Sequence, residues 1–325
     1  MTRFRLRTPS RLHFGLLSWG ANPPRQFGGA GLMIEAPGLE LSAETSRHWQ
    51  ADGPMAGRVL AVASKVADQL ASEGSEIEPA SFNVLRAPSE HVGLGVGTQI
   101  GLGVARLLIE RAGRPTPTVD ELARLTGRGL RSGIGLHGFA LGGLIVDGGR
   151  RGPVGIPPLL SRVEIDPDWS VLVVIPPRET GLHGPGEVQA FADLPPSSDA
   201  LTDRLCRLVL LGLLPAAIER DLLRFGEALE ELQRRVGQGF SPAQGGIFAR
   251  PEAESIAGVL RTEGLHGVGQ SSWGPTLYGL TDASPDHRTD ILGRILRRTG
   301  LPPASAFWTS ASVRGATLDT ETSMS

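Results

Sequence analysis

The sequence predicts an α+β protein of two domains, and three observations carry that prediction. A chain of 325 residues is roughly twice the common domain size. With 40% hydrophobic and 20% charged residues it has the balance of a globular chain that buries a core. Its strand-like and helix-like stretches, taken in order, make an α+β succession.

Residues 3–18 alternate apolar and polar positions and read as a strand pair broken at Thr8-Pro9-Ser10. Gly31 to Ile34, followed by Leu39 to Ala43, reads as a hairpin around Pro37-Gly38. Helical spacing at Val59, Val62, Val66 and Leu70 marks residues 55–73, Ser81 to Leu85 is a short strand, and 98–112 and 118–127 are helical. Leu136 to Asp147 has strand character, and Gly148-Gly149-Arg150-Arg151-Gly152-Pro153 resembles a linker. The β-branched run Trp169 to Ile175, closed by Pro176-Pro177, is a buried strand that opens a second sheet. Helices follow at 186–193, 199–236 (two, meeting near Pro215 or Phe225) and 251–262. Strands at 265–271 and 275–281, a helix at 286–298 and a strand at 304–311 complete the order. The polar tail, Thr317 to Ser325, is expected to fray. The two domains are placed at residues 1–157 and 163–316.

A net charge of −2 gives no general attraction to nucleic acid or to an anionic membrane, so anion binding must come from local sites. Lys65 is the one lysine and lies in a helical pattern as a solvated side chain, which leaves arginine to hold any phosphate. The single Cys206 excludes an intrachain disulfide and a multi-cysteine metal site. No apolar run is long enough to span a membrane, and the alternating N-terminus is not a signal peptide, so a cytoplasmic protein is expected.

HVGLGVGTQIGLGVARLL, residues 91–108, places five glycines before and inside a helix whose apolar face is Ile100, Val104, Leu107 and Leu108. Each helical glycine costs about 1 kcal/mol relative to alanine, so some gain must offset it. Gly93, Gly95 and Gly97 let backbone N–H groups converge at a helix N-terminus, where an anionic phosphate is the natural occupant. A tight turn without a ligand is the alternative. Gly101 and Gly103 need only a closely packed neighbour. The spacing fits neither GxGxxG with a distal acid nor GxxxxGK[ST].

With Pro88, Gly93, Leu94, Gly95, Val96, Gly97 and Thr98, the loop resembles the Pro-x-x-x-Gly-Leu-Gly-Ser-Ser loop of the GHMP kinase superfamily. SRLHFGLL (10–17), RQFGGAGLMIE (25–35), GRGLRSGIGLHGFALGGLIVDGG (127–149) and GVGQSSWGPTLYGL (267–280) resemble one branch of it, the β-ribofuranosylaminobenzene 5'-phosphate synthases. GLHGPGE (181–187) and AQGGIFA (243–249) fit the same branch. The resemblance implies a two-domain GHMP-kinase-like fold, with an N-terminal domain like domain 2 of ribosomal protein S5 and a ferredoxin-like C-terminal domain. It also implies a homodimer and a decarboxylating transferase of methanopterin biosynthesis. Phosphoribosyl diphosphate would react with 4-hydroxybenzoate or 4-aminobenzoate, releasing carbon dioxide and diphosphate, with Mg2+ bridging the diphosphate oxygens. An ATP-dependent small-molecule kinase and a non-catalytic phosphate binder are the rivals. Many superfamily kinases carry an aspartate base in Pro-Ser-Gly-x-Asp, whereas Arg131-Ser132-Gly133-Ile134-Gly135 here has no carboxylate.

Within these motifs Arg131 is the first choice to clamp a phosphate or carboxylate, a surface salt bridge being its alternative. Arg25 reaches an anion from its loop. His13 is a base toward the para substituent, a phosphate donor or a structural histidine. His91, Gly93, Leu94, Gly95, Gly97, Thr98 and Gln99 are assigned to phosphate, joined by Ser271 and Ser272 from the second domain. Arg11, Gly133 and Trp273 are assigned to substrate, with a structural role in its strand the alternative for Arg11 and core packing that for Trp273. Asp147 and Glu90 are the expected magnesium ligands, and Glu179 and Glu187 are further candidate carboxylates. No histidine pair has the i, i+4 spacing of a helical zinc site.

Overall fold

Strand β1 (Thr2–Ser18) pairs antiparallel with β2 (Phe27–Thr45) along almost its whole length, from Arg3 opposite Glu44 to Ser18 opposite Phe27. The computed structural model describes residues 2–20, 25–152, 155–177 and 180–322. Two bulges interrupt the pair, between Thr8 and Ser10 and between His13 and Gly15. The break expected at Thr8-Pro9-Ser10 is the first of these. Proline lacks a ladder donor, and a bulge tolerates that loss, so the strand continues through it. The hairpin expected around Pro37-Gly38 is likewise absent: Leu39 pairs with Thr8 and Ile34 with Ser10, so residues 35–38 bulge out of the ladder while β2 continues on either side.

Next come β3 (Gln50–Asp52), α1 (Ala56–Ser72), β4 (Ala80–Arg86), α2 (Val96–Arg111), α3 (Val119–Thr126), α4 (Ile134–Leu141), β5 (Leu144–Asp147) and β6 (Leu159–Val163). The run 136–147, expected as one strand, is helix α4 followed by β5. An apolar run of that length fits either state, and Gly142 and Gly143, at φ 65° and 81°, divide it. The expected linker is a turn between two strands of one sheet, with Pro153 outside the described residues.

After β7 (Ser170–Val174) lie α5 (Gly184–Asp193), α6 (Asp199–Leu208), a π turn (Val209–Leu213), α7 (Leu214–Glu219) and α8 (Leu222–Gln244). The interruption expected in 199–236 falls at Arg220-Asp221, where the Asp221 side chain caps α8 by accepting from Arg224 N–H. The chain ends with α9 (Pro251–Thr262), β8 (His266–Gln270), β9 (Leu277–Thr281), α10 (Pro285–Thr299), β10 (Ala306–Ser310) and β11 (Thr317–Thr322). The tail expected to fray pairs with β1 from Thr317 opposite Arg7 to Thr322 opposite Thr2. Its polarity is that of an edge strand, with Asp319 2.7 Å from Arg7; residues 323–325 lie outside the described part.

The first sheet has the order β11-β1-β2-β4-β3, with β5 and β6 added on β2, and the second has the order β10-β7-β9-β8. Helices α1 to α4 cover one face of the first sheet through Val59, Val66, Ile100, Leu108 and Phe139. One core joins the two sheets, with Leu12, Phe14 and Ile34 from the first, Val171, Val173 and Tyr278 from the second, and Phe225 and Leu232 from α8. Each such side chain stabilises the fold by roughly 1.5–3 kcal/mol on burial, so this shared layer fixes one sheet against the other. Helices α9 and α10 cover the outer face of the second sheet. No helix among the described residues is long and apolar enough to cross a membrane.

Candidate active site

A cavity of about 850 Å³ opens where the glycine loop, β1, α5, α8 and the 270–274 segment meet. Arg11, His13 and Gly15 of β1 line it in that order, leading from the glycine loop toward Val236 of α8. The loop is held from the second sheet. Ser271 Oγ donates to Gly93 C=O at 2.7 Å and accepts from His13 N–H at 3.0 Å, while Thr276 Oγ1 donates to Val92 C=O at 2.5 Å. Gly93 has φ 86°, and a Cβ there would lie 2.4 Å from Ser271 C=O, which explains the glycine as a close backbone approach. Gly95, at φ 73°, opens α2 without a side-chain cap. Val96 and Gly97 present N–H groups of the first helical turn that have no partner among the described residues.

Arg11, Arg58, Arg128 and Arg131 line the cavity with Arg150, whose guanidinium lies 5.5 Å over the Phe27 ring, while Glu187 is the one carboxylate on the cavity wall among the described residues. Arg11 Nε is sealed from solvent and has no hydrogen-bond partner among the described residues. Burial, followed by repulsion from Arg131, pushes its guanidinium pKa down to about 10 against the pull of Glu187. Burial and then Arg58 lower Arg128. The far end is apolar. Phe191, Phe240 and Trp273 form an edge-to-face triangle with centroids 5.0–5.8 Å apart, beside Phe27, Val236 and Ile247. Trp273 is therefore both wall and core. The Arg131 guanidinium lies 4.8 Å above the Phe191 ring and joins the two ends.

His13 is buried between them. Its Nδ1 accepts from Gly15 N–H at 3.2 Å, which places the proton on Nε2, 3.2 Å from Ser132 Oγ. Ser132 Oγ donates to Asp147 Oδ2 at 3.2 Å, and that oxygen also accepts from Gly133 N–H at 2.8 Å. Gly149 N–H donates to Asp147 Oδ1 at 2.9 Å. Burial raises the Asp147 pKa against these donors. Burial first, then Arg11 and Arg131, hold the His13 pKa well below the ordinary value. A depressed imidazole contributes stability that is present above the ordinary pKa of about 6.5 and is lost as the pH falls through it. Below that pH, wild-type stability should fall more steeply than that of His13→Gln, by up to about 1.4 kcal/mol per pH unit. Parallel melting-temperature profiles from pH 7.5 to 5 check this, and parallel curves would contradict it.

Of the residues assigned from sequence, Arg11, His13, His91, Gly93, Leu94, Gly95, Gly97, Thr98, Arg131, Ser272 and Trp273 line the cavity. The remaining six stand behind or away from it. Arg25 donates to Gly148 and Gly149 carbonyls at 2.7 and 2.8 Å and braces that turn. Gln99 is buried on α2 and donates to Gly135 C=O at 3.1 Å. Ser271 and Gly133 act through the hydrogen bonds described above. Asp147 is fully buried with both oxygens occupied, and Glu90 pairs with Arg58. No group of three or more potential ligands gathers around either carboxylate among the described residues. Glu179 lies outside those residues. His91 stacks on His183 at 3.6 Å, and burial and this neighbour lower its pKa, which works against a charged imidazole beside the loop.

Sequence reasoning missed Arg58, Arg128, Phe191 and Phe240, which are brought in by α1, the turn before α4, α5 and α8. It also left Glu187 unplaced; this α5 residue lies 2.8 Å from Arg131. Without magnesium, Glu187→Gln should free that guanidinium and tighten inorganic pyrophosphate binding by up to about fivefold, the upper range for a partly exposed pair. Calorimetric titration would show it, and weaker binding would give Glu187 a different role.

No protein-family model matches the chain. It is 35% identical to the beta-ribofuranosylphenol 5'-phosphate synthase of Archaeoglobus fulgidus over 86% of its own length and 88% of that protein. The chain belongs to the β-ribofuranosylphenol 5'-phosphate synthase family. The Methanothermobacter thermautotrophicus enzyme of that name is 30% identical over 90% of this chain and 92% of its own. Among solved structures, Streptococcus pneumoniae phosphomevalonate kinase superposes with a TM-score of 0.68 at 13% identity, covering 96% of this chain and all of that one. Leishmania major mevalonate kinase gives 0.65 at 18% identity, covering 95% and 96%. The synthase therefore has the two-domain α+β fold of the GHMP kinases.

Proposed function

We propose that this synthase joins phosphoribosyl diphosphate to 4-hydroxybenzoate, releasing carbon dioxide and diphosphate, as an early step of methanopterin biosynthesis. The observation that carries the reading is one cavity with guanidinium groups at one end and an aromatic triangle at the other. Such a shape suits a phosphorylated sugar and a benzene ring held in contact with water displaced. The bond from ribose C1 to the diphosphate breaks with its electron pair leaving on diphosphate, where arginines stabilise the growing charge. The ring carbon bearing the carboxylate attacks C1. The carbon–carboxyl bond then gives its pair back to the ring as carbon dioxide departs. A para oxygen supplies electron density to the attacking carbon, and the word phenol in the relatives' names supports the hydroxy acid over the amino acid.

The expected Mg2+ belongs to this proposal as a companion of the diphosphate. Magnesium keeps most of its waters and takes one or two carboxylates, so Glu187 on the wall is the residue in position to meet it. The described residues form no dedicated metal cage. A cytoplasmic, homodimeric enzyme also belongs to the proposal. The kinase reading lacks its base, because Asp147 is sealed and Glu187 holds Arg131. Incubation with phosphoribosyl diphosphate, magnesium and carboxyl-labelled 4-hydroxybenzoate should release labelled carbon dioxide only when both substrates are present. ATP consumption with an alcohol acceptor and no such release would overturn the reading.

A further inference from the structure

We infer that the cavity holds two separate anion subsites, and that Arg58 and Arg128 form one of them, built for a phosphomonoester: the 5-phosphate of the donor. The identity of the donor rests on the transferase reading above. A Cβ on Gly97 would lie 2.4 Å from Arg58 Nη2, and one on Gly101 would lie 3.6 Å from Arg128 Nε. Gly97 and Gly101 are one helical turn apart on α2, so both guanidinium groups lie along one face of its first turns. The open N–H groups of Val96 and Gly97 begin that helix. Glycine at 97 is what lets Arg58 come so close to the loop.

Arg11 occupies a different flank, where a Cβ on Gly95 would lie 3.4 Å from its Nε. Arg131, paired on its other side with Glu187 at 2.8 Å, shares the cavity wall with Arg11 and repels it. On both flanks two cations face one cavity, and among the described residues no carboxylate forms an ion pair with Arg11 or Arg128. Like charges held together in this way call for an anion between them. Glu90 balances Arg58 alone and remains partly exposed.

Position decides which anion goes where. Arg131 lies over Phe191, so the Arg11–Arg131 pair adjoins the aromatic end. Ribose C1 must touch the aromatic ring, and its leaving diphosphate therefore belongs with Arg11 and Arg131. The 5-phosphate, at the opposite end of the sugar, falls to Arg58 and Arg128.

Calorimetric titration of the full chain with inorganic pyrophosphate and, separately, with ribose 5-phosphate tests the assignment. Arg128→Met should weaken ribose 5-phosphate at least about tenfold, equivalent to about 1.4 kcal/mol, and change pyrophosphate by less than about twofold. Arg131→Met should do the reverse, and Arg128→Lys should recover part of the ribose 5-phosphate affinity. If Arg128→Met fails to fold, Arg58→Gln reads the same subsite from a more exposed position. Three results would each overturn the inference: no ribose 5-phosphate binding by the wild type, equal loss of both ligands in Arg128→Met at unchanged melting temperature, or no loss of either. Wild-type release of carbon dioxide, followed alongside, tests the transferase reading independently of these affinities.

Discussion

Arg11→Met is expected to lower kcat/KM for the phosphorylated donor by roughly two to three orders of magnitude, the range for losing a preorganised donor to a developing anion. It is also expected to raise the melting temperature. The two effects have one cause. Arg11 Nε is sealed and unpartnered among the described residues, and its guanidinium is already pushed down to about 10 by burial and by Arg131. The charge of Glu187 offsets the burial of this cation only in part, and an apolar side chain of similar length removes the remaining penalty while keeping the packing. Without that cation the diphosphate loses an electrostatic anchor in its transition state. Steady-state kinetics and calorimetry on the same preparations decide the matter. A lower melting temperature with unchanged kinetics would make Arg11 a structural residue.

Asp147→Ala is expected to destabilise the protein by about 3–5 kcal/mol, because it strands a set of buried donors at once. The donors are Gly133 N–H, Gly149 N–H and Ser132 Oγ–H. At roughly 2–4 °C per kcal/mol, the melting temperature should fall by about 6–20 °C. Activity should fall as well, since Ser132 would no longer be held against His13. Asp147→Asn keeps an acceptor but cannot serve all three donors, so an intermediate loss is expected. If either variant kept its melting temperature and instead needed more magnesium, Asp147 would be a metal ligand and the buried bracket would be a misreading.

The contrast between these two residues shows what was legible in the sequence. Arg11 and His13 stand in SRLHFGLL two positions apart on a strand, so their common face followed from strand periodicity. The glycine spacing from 93 to 97 announced a backbone surface at a helix start, and the structure adds that Gly93 is needed for Ser271 to approach. Asp147 looked like a ligand because LIVDGG places a carboxylate at a strand end beside glycines. Nothing in the spacing reveals that Gly133 and Gly149 turn their N–H groups inward toward it. Arg58 and Arg128 were out of reach for another reason. They are 70 residues apart in the chain and meet only because α1 and the turn before α4 pack on the same helix. The aromatic triangle likewise draws Phe191, Phe240 and Trp273 from three separate elements, each an ordinary core residue when read alone. The stretch 136–147 reads as a strand because an apolar run interrupted only by glycines carries no clear period, whereas it folds as helix α4 and strand β5.

One cavity divides into an anion-binding end and an aryl-binding end that meet at His13. A crystal structure of the dead-end complex with diphosphate and 4-hydroxybenzoate tests it most directly, since no sugar is present to react. Diphosphate against Arg11 and Arg131, with the benzoate ring inside the triangle of Phe191, Phe240 and Trp273, is the predicted result. Diphosphate bound away from the glycine loop, or a ring lodged among the arginines with the triangle empty, would contradict it.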